Sequence, residues 1–374
     1  MAPMKVVALR RPTPGSLTLY LGGGGYGETQ VVVTPEGRVI VVDTCAVGHH
    51  VPLDLMHAFG LERLDMLVVT HADLDHCSGV PELVKQFTPE RVMYFPPGSM
   101  AEVLARVLQD SPDENGKLGA LRETLTTLDE LASSNLAYTG NLNTEMRSFG
   151  DVTVRCIAPC GADVSEVTRQ ISKMINWDGD SPTLAARVFD FLAGPASNPS
   201  ERNNSLSLAL TIAWKQFRIV LGGDVESRHE NRGWAGILKE LERDERLDEL
   251  KNPTVVKVAH HGSMGAFHSP TWDLHTADGH RPIALLTSYQ RGAQASRPPT
   301  SEFFHHMALR ASATGATAPP VPNDWSAFAL NQVPEVEPDP EQPTALTHWV
   351  GVEFRDDGSI ELMGSTGTRW ACSP

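Results

Sequence analysis

Short apolar runs dominate the hydrophobic pattern of this chain. Each run is only a few residues long, is rich in Val, Ile and Leu, and stops at a polar or turn-forming residue. Runs of this kind, bounded by turn signals, predict buried β-strands. The predicted strands cover residues 17–21, 29–34, 38–42, 64–69, 91–95, 151–157, 206–213, 217–221, 255–259, 283–287, 348–354 and 359–364.

Helical patterns separate many of these strands. Residues 78–87 predict a helix with Pro81 in its first turn, where proline is tolerated. A leucine stripe predicts helical structure over residues 100–135, and further helices are predicted at 234–251, which is highly charged, and at 301–310. Strands that alternate with helices in this way predict a layered α/β protein.

We expect a single domain over residues 1–374 with three insertions. They lie at about 96–150, 161–200 and 311–346. The second is expected to be irregular, and the third, which is rich in Pro, Ala and Thr, to be a loop or flexible segment. These insertions leave room for binding of a protein partner.

The densest candidate chemistry follows the strand at residues 64–69. The sequence there is His71-Ala-Asp73-Leu-Asp75-His76, an H-x-D-x-D-H pattern. Four such donors leaving one strand end are able to surround a pair of divalent cations. Imidazole suits zinc and its neighbours, whereas carboxylate favours manganese or magnesium, so zinc and manganese are both candidates.

Three other predicted strands also stop at potential ligands. These are Asp43, Asp224 and the pair His260 and His261. Catalytic groups in layered α/β proteins commonly lie where strands end. Consecutive residues on an extended backbone point in opposite directions, so we expect only one histidine of the pair to bind metal.

The glycine cluster at residues 22–27 does not predict a nucleotide-binding site. It lacks the G-x-x-x-x-G-K-[ST] pattern, and its G-x-G-x-x-G match is followed by a strand instead of a helix. We interpret the cluster as room for the backbone to pass close to the site.

Composition narrows the class of protein. The chain has 374 residues and a formal net charge of -15, which is unfavourable for non-specific nucleic-acid binding through cationic contacts. Five cysteines show no paired framework, which favours a reducing compartment. The chain start lacks a signal-peptide pattern, and no apolar run predicts a membrane span. We therefore expect a cytoplasmic protein.

The motifs as a set resemble those of a known family. The H-x-D-x-D-H cluster, Asn203-Asn204-Ser205-Leu206, Gly223-Asp224-Val225-Glu226 and His260-His261-Gly262-Ser263 are similar to motifs in the metallo-β-lactamase-fold hydrolase domain of ComEC-type competence DNA-uptake proteins. The resemblance implies a four-layer αββα sandwich with two divalent metal ions, Zn or Mn, along one edge. The glycine run at 22–27 and the Arg297-Pro298 dipeptide depart from the family pattern, which bears on the substrate more than on the metals.

The resemblance also implies roles for individual residues. One ion would take His71 and Asp73, the other Asp75 and His76, with Asp224 bridging them and His260 or His261 completing the second site. Asp43 would not bind metal itself but would orient these ligands. The catalytic candidates are Asp75, which would orient a metal-activated hydroxide, and His261; the histidine of the pair that is not on metal would protonate the leaving group. The candidate substrate contacts are Asn203, Asn204, Ser263 and Arg297.

Three functional hypotheses remain open at this point. The first is a metal-dependent phosphodiesterase, including a nuclease. The second keeps the fold but acts on a small phosphoester, lactone or thioester, which the acidic charge favours. The third is a partner-dependent module of a larger assembly, for example in defence, which would bind through the insertions.

Overall fold

In the part of the chain that the structure describes, two mixed β-sheets of nine strands each form the centre of the fold. The computed structural model describes residues 6–46, 51–94, 117–175, 203–227, 229–289, 298–318, 331–332 and 346–372. Within these ranges, no helix is long and apolar enough to cross a membrane.

The first sheet is built mainly from the N-terminal third of the chain. Its strands are β1 (Val6–Ala8), β2 (Leu17–Gly22), β3 (Thr29–Val33), β4 (Val39–Val42), β5 (Met66–Val69), β6 (Arg91–Tyr94), β7 (Ala137–Thr139), β16 (Trp349–Phe354) and β17 (Ile360–Gly364). Their order across the sheet is β1-β17-β16-β2-β3-β4-β5-β6-β7. The pairs from β4 to β7 are parallel, and β2 to β4 are antiparallel.

The second sheet follows the same scheme. Its strands are β8 (Arg147–Phe149), β9 (Val152–Ala158), β10 (Ala209–Trp214), β11 (Phe217–Leu221), β12 (Val255–Lys257), β13 (Ile283–Leu286), β14 (Ala313–Ala316), β15 (Asn331–Gln332) and β18 (Arg369–Cys372). Their order is β15-β18-β14-β13-β12-β11-β10-β9-β8, and β11 to β14 run parallel.

Helices cover the outer faces of the two sheets. They are α1 (Val51–Phe59), α2 (Leu74–Cys77), α3 (Val80–Gln86), α4 (Lys117–Ser133), α5 (Gly161–Ile175), α6 (Gly233–Arg243), α7 (Ser269–His275) and α8 (Ser301–Arg310). Strands buried on both faces have little need of polar alternation, which explains the continuous apolar runs of the sequence.

Two hydrophobic cores show how the layers pack. On β11, Ile219 belongs to the core between the sheets, whereas its neighbour Val220 belongs to the core under the helices. On β12, Val255 and Val256 divide in the same way. The predicted four-layer αββα sandwich is confirmed.

Two predicted irregular regions contain regular structure. Residues 161–175 of the expected irregular insertion form α5, and β14 lies inside the stretch 311–346, where it pairs with β13 and β18. The composition of β14 is misleading because its residues are small. A side chain at Gly315 would meet the Trp370 ring at 2.8 Å, so packing in this strand demands small residues.

Other predicted boundaries shift for local reasons. The charged helix ends at Arg243 and not near residue 251, because Glu245 adopts a left-handed backbone with φ of 58°. Part of the region treated as an insertion, residues 117–149, supplies α4, β7 and β8 and so extends both sheets. The predicted helical residues 100–116 lie outside the described residues.

Gly27 allows the turn between β2 and β3 to approach the H-x-D-x-D-H segment. Its φ is 69°, and a Cβ there would overlap the Asp75 carbonyl oxygen and the Cys45 sulfur. The next residue, Glu28, donates its backbone N–H to the same Asp75 carbonyl at 3.2 Å. The interpretation of the glycine cluster as room for the backbone is confirmed at this position.

We predict that Gly27→Ala lowers the free energy of unfolding by about 3 kcal/mol, because it adds steric overlap to left-handed strain. Gly37→Ala is the matched control, since Gly37 has φ of 77° but no described atom lies within 4 Å of the position that its Cβ would take. In the Gly37→Ala control, the free energy of unfolding should fall by only about 1–2 kcal/mol. Urea denaturation of both variants checks this, and equal losses would contradict the close approach at Gly27.

Candidate metal centre

The polar residues at five strand ends converge on one edge of the sandwich. In the first sheet, Asp43 follows β4 and His71 lies just beyond β5. In the second sheet, Asp224 lies beyond β11, His260 beyond β12 and Thr287 directly after β13. Because the strands within each of these two sets are parallel neighbours, their carboxyl ends meet at the same edge.

Asp43 organises the ligands of the first sheet. Its Oδ1 accepts the Thr70 backbone N–H at 2.8 Å, and its Oδ2 accepts the Thr70 hydroxyl at 2.7 Å and His76 Nδ1–H at 2.8 Å. The residue is fully buried and has φ of 61°. This arrangement matches the orienting role expected for Asp43.

These hydrogen bonds fix which nitrogen of each histidine faces the site. The Thr70 hydroxyl donates to Asp43, so at 2.9 Å it accepts Nδ1–H of His71. His76 likewise uses Nδ1–H to bond Asp43. In the neutral tautomer that these bonds select, the Nε2 atom of His71 and of His76 carries the lone pair and is directed away from Asp43.

A histidine of the second sheet is held by the same pattern, with a carboxylate that comes from the first sheet. The Thr287 hydroxyl donates to Glu28 Oε2 at 2.8 Å and accepts Nδ1–H of His261 at 2.7 Å. Glu28 Oε1 forms a buried ion pair with Lys257 Nζ and accepts from Gln30 Nε2 at 3.1 Å. His261 is thus held by a carboxylate–hydroxyl–imidazole chain, as His71 is.

The backbone at His260 and His261 differs from the extended form expected from the sequence. Both residues have left-handed φ values, 47° and 55°, and the following Gly262 has φ of 80°. The alternation of side chains that holds in a strand therefore does not apply to this pair. The prediction that the two histidines point in opposite directions assumed an extended backbone, and that assumption was wrong. Both rings reach the centre: His260 Nε2 lies 3.8 Å from Asp224 Oδ2, and His261 packs near His76 with ring centroids 6.0 Å apart.

Among the described residues, four groups of three side chains bring ligand atoms within 4.8 Å of one another, and two of these groups consist only of predicted metal ligands. One atom each from His71, His76 and Asp224 lie within 4.8 Å of one another, and the same holds for Asp75, His76 and His261. His76 Nε2 lies 3.6 Å from Asp224 Oδ2 and 3.9 Å from Asp75 Oδ2.

Unpartnered atoms in this cluster fit a metal ion. His71 Nε2, His76 Nε2 and Asp224 Oδ1 are buried and have no hydrogen-bond partner among the described residues. Buried polar atoms normally have a hydrogen-bond partner, so three buried atoms of one cluster without such a partner indicate a binding site for a ligand. Two imidazoles and a carboxylate are a donor set suited to zinc or manganese.

Charges within the cluster strongly affect one another. Burial lowers the pKa of His76, but the carboxylates of Asp224, Asp43 and Asp75 outweigh burial and raise that pKa well above its usual value. Burial acts to raise the pKa of Asp224, yet the surrounding imidazoles hold it well below its ordinary range. For Asp75, burial dominates and raises the pKa. The carboxylates therefore favour the protonated form of His76, and the imidazoles favour the ionised form of Asp224.

The two neighbouring histidines have contrasting environments. Burial lowers the pKa of His261 to about 4, so its imidazole is neutral and able to bind a cation. Burial also acts to lower the pKa of His260, but Asp224 and Glu226 overcome it and raise that pKa. His260 Nδ1 lies 3.0 Å from Glu226 Oε1.

The remaining predicted residues lie at the margin of the cluster or outside the description. Asp73 Oδ2 is 3.6 Å from His71 Nε2, at the more exposed side. Asn204 Nδ2 and Ser263 Oγ each lie 3.3 Å from His260 Nδ1. The side chain of Asn203 and all of Arg297 lie outside the described residues.

Sequence reasoning missed Glu28, Lys257, Thr287 and Glu226. Lys257 carried a usable signal, because it is a single charged residue inside the apolar run Val255-Val256-Lys257-Val258. A charge at a buried strand position requires a partner. Nothing in the sequence identified Glu28 as that partner, since 229 residues separate the two.

Comparison with known proteins finds similarity to the Metallo-beta-lactamase superfamily over part of the chain. The family model described as the Metallo-beta-lactamase superfamily matches residues 23–97, which include Asp43 and the H-x-D-x-D-H segment. ComE operon protein 3 of Bacillus subtilis (strain 168) is 24% identical over 261 residues, covering 65% of this chain and 25% of that protein. The chain thus spans about a quarter of the length of the curated relative it matches.

Solved structures with metallo-β-lactamase names also align with the chain. The metallo-beta-lactamase fold protein YhfI from Bacillus subtilis aligns with a TM-score of 0.37 and 9% identity, over 72% of this chain and 85% of that one. The Rm3 metallo-beta-lactamase aligns with a TM-score of 0.36 and 15% identity, over 68% of this chain and 79% of that one. The chain thus resembles metallo-β-lactamase-fold proteins: the superfamily model matches residues 23–97, ComE operon protein 3 is similar over 65% of the chain, and the described residues form a two-sheet sandwich.

Proposed function

We propose that this protein is a metal-dependent hydrolase with a dinuclear centre that acts on phosphodiesters. The observation that carries the proposal is the convergence of His71, His76 and Asp224 with three buried, unpartnered ligand atoms. The adjoining group of Asp75, His76 and His261 supports a second ion. The resemblance of the site motifs to those of ComEC-type hydrolase domains motivates the same class of chemistry.

Asp224 would join the two halves of the centre, because its carboxylate groups with His71 and His76 and also with His261. His71 and Asp73 would complete one ion site, and Asp75, His76 and His261 the other. Divalent ions held there would supply an activated water and a Lewis acid for the attacked phosphoryl oxygen.

The chain's own residues supply orientation and proton transfer. Asp75, with a side chain only 16% exposed, would accept a hydrogen bond from the attacking water and hold it in line. His260 takes the proton-donor role, because its Nδ1 contacts Glu226 while its side chain remains 19% exposed to incoming substrate. We therefore assign leaving-group protonation to His260 and metal binding to His261.

The carboxylates of the site also favour a second candidate class. With a net charge of -15 over the chain, the protein's field opposes approach of anions and leaves uncharged esters unaffected. A lactone or thioester would use the same residues, with attack at a carbonyl carbon in place of phosphorus.

We predict that the metal-stripped protein hydrolyses bis(p-nitrophenyl) phosphate only after refilling with manganese or zinc. Asp75→Asn should lower kcat by about a hundredfold or more, because the amide keeps the shape of the side chain but accepts a hydrogen bond from water more weakly and is a poorer metal ligand. Release of p-nitrophenolate measures this directly.

Asp151→Asn is the matched control, since Asp151 is exposed and the same chemical change there should leave turnover intact. Ion-loaded protein that cleaves a lactone or thioester and never the diester would replace the first candidate with the second. A loaded protein inactive on the whole panel would overturn the hydrolase proposal.

Salt dependence separates a nuclease from an enzyme for small diesters. If nucleic acid is the substrate, we predict that KM for a single-stranded oligonucleotide rises by about tenfold or more between 50 and 200 mM NaCl, because phosphate contacts release counterions. The KM for bis(p-nitrophenyl) phosphate, with its single charge, should change far less over the same range. Parallel salt responses of the two substrates would argue against nucleic-acid binding.

A further inference from the structure

We propose that Glu28, Lys257 and Thr287 form a buried positioning unit that sets the orientation and tautomer of His261 for the second ion. The inference rests on the proposed function, because it assigns these residues to the support of a proposed metal ligand. None of the three touches substrate or reacting atoms, so they are positioning residues.

The hydrogen-bond chain leaves His261 little freedom. Both carboxylate oxygens of Glu28 are engaged, Oε1 by Lys257 and Gln30 and Oε2 by Thr287. The Thr287 hydroxyl has one proton, which it gives to Glu28, so it accepts Nδ1–H of His261. His261 Nε2 is then the atom presented to Asp75 and His76 as a lone-pair donor.

An independent chain in the first sheet has the same design. Asp43, Thr70 and His71 repeat the order of carboxylate, hydroxyl and imidazole, with bonds of 2.7 and 2.9 Å. The two chains share no residue, and their histidines follow strands of different sheets, although both carboxylates come from the first sheet. Carboxylates behind metal-binding histidines raise ligand basicity and fix ring orientation, which is the purpose such a repeat would serve.

The unit also ties together the other ligand-bearing turns. Lys257 Nζ donates to the Gly223 carbonyl at 3.2 Å, directly before Asp224. The Glu28 backbone N–H donates to the Asp75 carbonyl at 3.2 Å. A single buried unit therefore contacts the segments that carry Asp75, Asp224 and His261.

Glu28 itself is not assigned as a ligand. One of its oxygens does lie within 4.8 Å of ligand atoms of Asp224 and His261. Both oxygens, however, are already hydrogen-bonded, and Lys257 neutralises the charge that would attract a cation. Lys257 and Glu28 are each completely buried, so neither has solvent as an alternative partner.

Thr287→Val tests the unit with the least change in shape. We predict that this variant binds the second ion about 10–100-fold more weakly, while the first ion binds as in the wild type. Competition with a chromophoric chelator gives the two dissociation constants for zinc or manganese, and elemental analysis gives the ion content. Thr70→Val should show the opposite pattern, because it removes the hydroxyl behind His71.

Thr314→Val is the matched control. Thr314 is also fully buried, lies on the strand next to β13, and its hydroxyl has no hydrogen-bond partner among the described residues. Its ion affinities should equal those of the wild type. Thr287→Val should melt below Thr314→Val in excess chelator, because Glu28 and His261 lose a buried hydrogen bond, but a cooperative transition above the assay temperature shows that it is folded and separates loss of positioning from loss of folding. Thr287→Ser keeps the hydroxyl and should restore second-ion affinity.

The outcomes are distinguishable. Wild type that holds two ions, with Thr287→Val binding both as tightly as Thr314→Val does, overturns the positioning unit and leaves the proposed function standing. Wild type that takes up no ion overturns the proposed function and this inference with it. If valine prevents folding, Thr287→Ala replaces it, and wild-type affinity in that variant overturns the inference equally.

Discussion

The buried ion pair between Glu28 and Lys257 is the interaction on which the geometry of the site depends. Removing two charges from water costs several kcal/mol for each ion unless both are paired and fully hydrogen-bonded. Gln30, Thr287 and the Gly223 carbonyl meet that requirement here. Apolar packing between two sheets is non-directional, whereas an ion pair between the segment before β3 and the strand β12 specifies how the sheets meet. Burial alone would raise the pKa of Glu28, but the Lys257 ammonium and the nearby imidazoles lower it, which keeps the carboxylate ionised.

The first sheet supplies the carboxylate that supports the candidate ligands of each sheet, since Asp43 follows β4 and Glu28 precedes β3. Asp43 orients His76 directly and His71 through Thr70, while Glu28 orients His261 through Thr287. The tautomer of each ring is thereby set by the protein before any ion arrives, so binding requires little rearrangement. Asp224 then lies between the two supports, close enough to interact with both sets of imidazoles.

The sequence predicted the parts of the structure that depend on local pattern. Strands buried on both faces are visible as apolar runs, and the candidate ligands His71, Asp75 and Asp224 are visible as polar residues near the strand ends. Contacts between distant segments are not visible in this way. The position of Lys257 in an apolar run predicts a buried charge, but its partner Glu28 follows a glycine turn and has no distinguishing sequence pattern. The stretch of β14 was mistaken for loop because Trp370 requires small residues there. The left-handed backbone at His260 followed from tertiary hydrogen bonding, since its N–H donates to the Gly223 carbonyl.

The density of carboxylates constrains which substrates the site is able to accept. Asp73, Asp75, Asp224 and Glu226 border one small cluster in a chain that is already acidic. Such a field attracts cations and repels phosphodiesters, so an anionic substrate can bind only where cations have reversed the local charge. An uncharged ester faces no such barrier. Diester chemistry therefore requires that His261 be held firmly in place. A change that lets this side chain move and lowers ion occupancy also restores the negative potential that excludes the substrate.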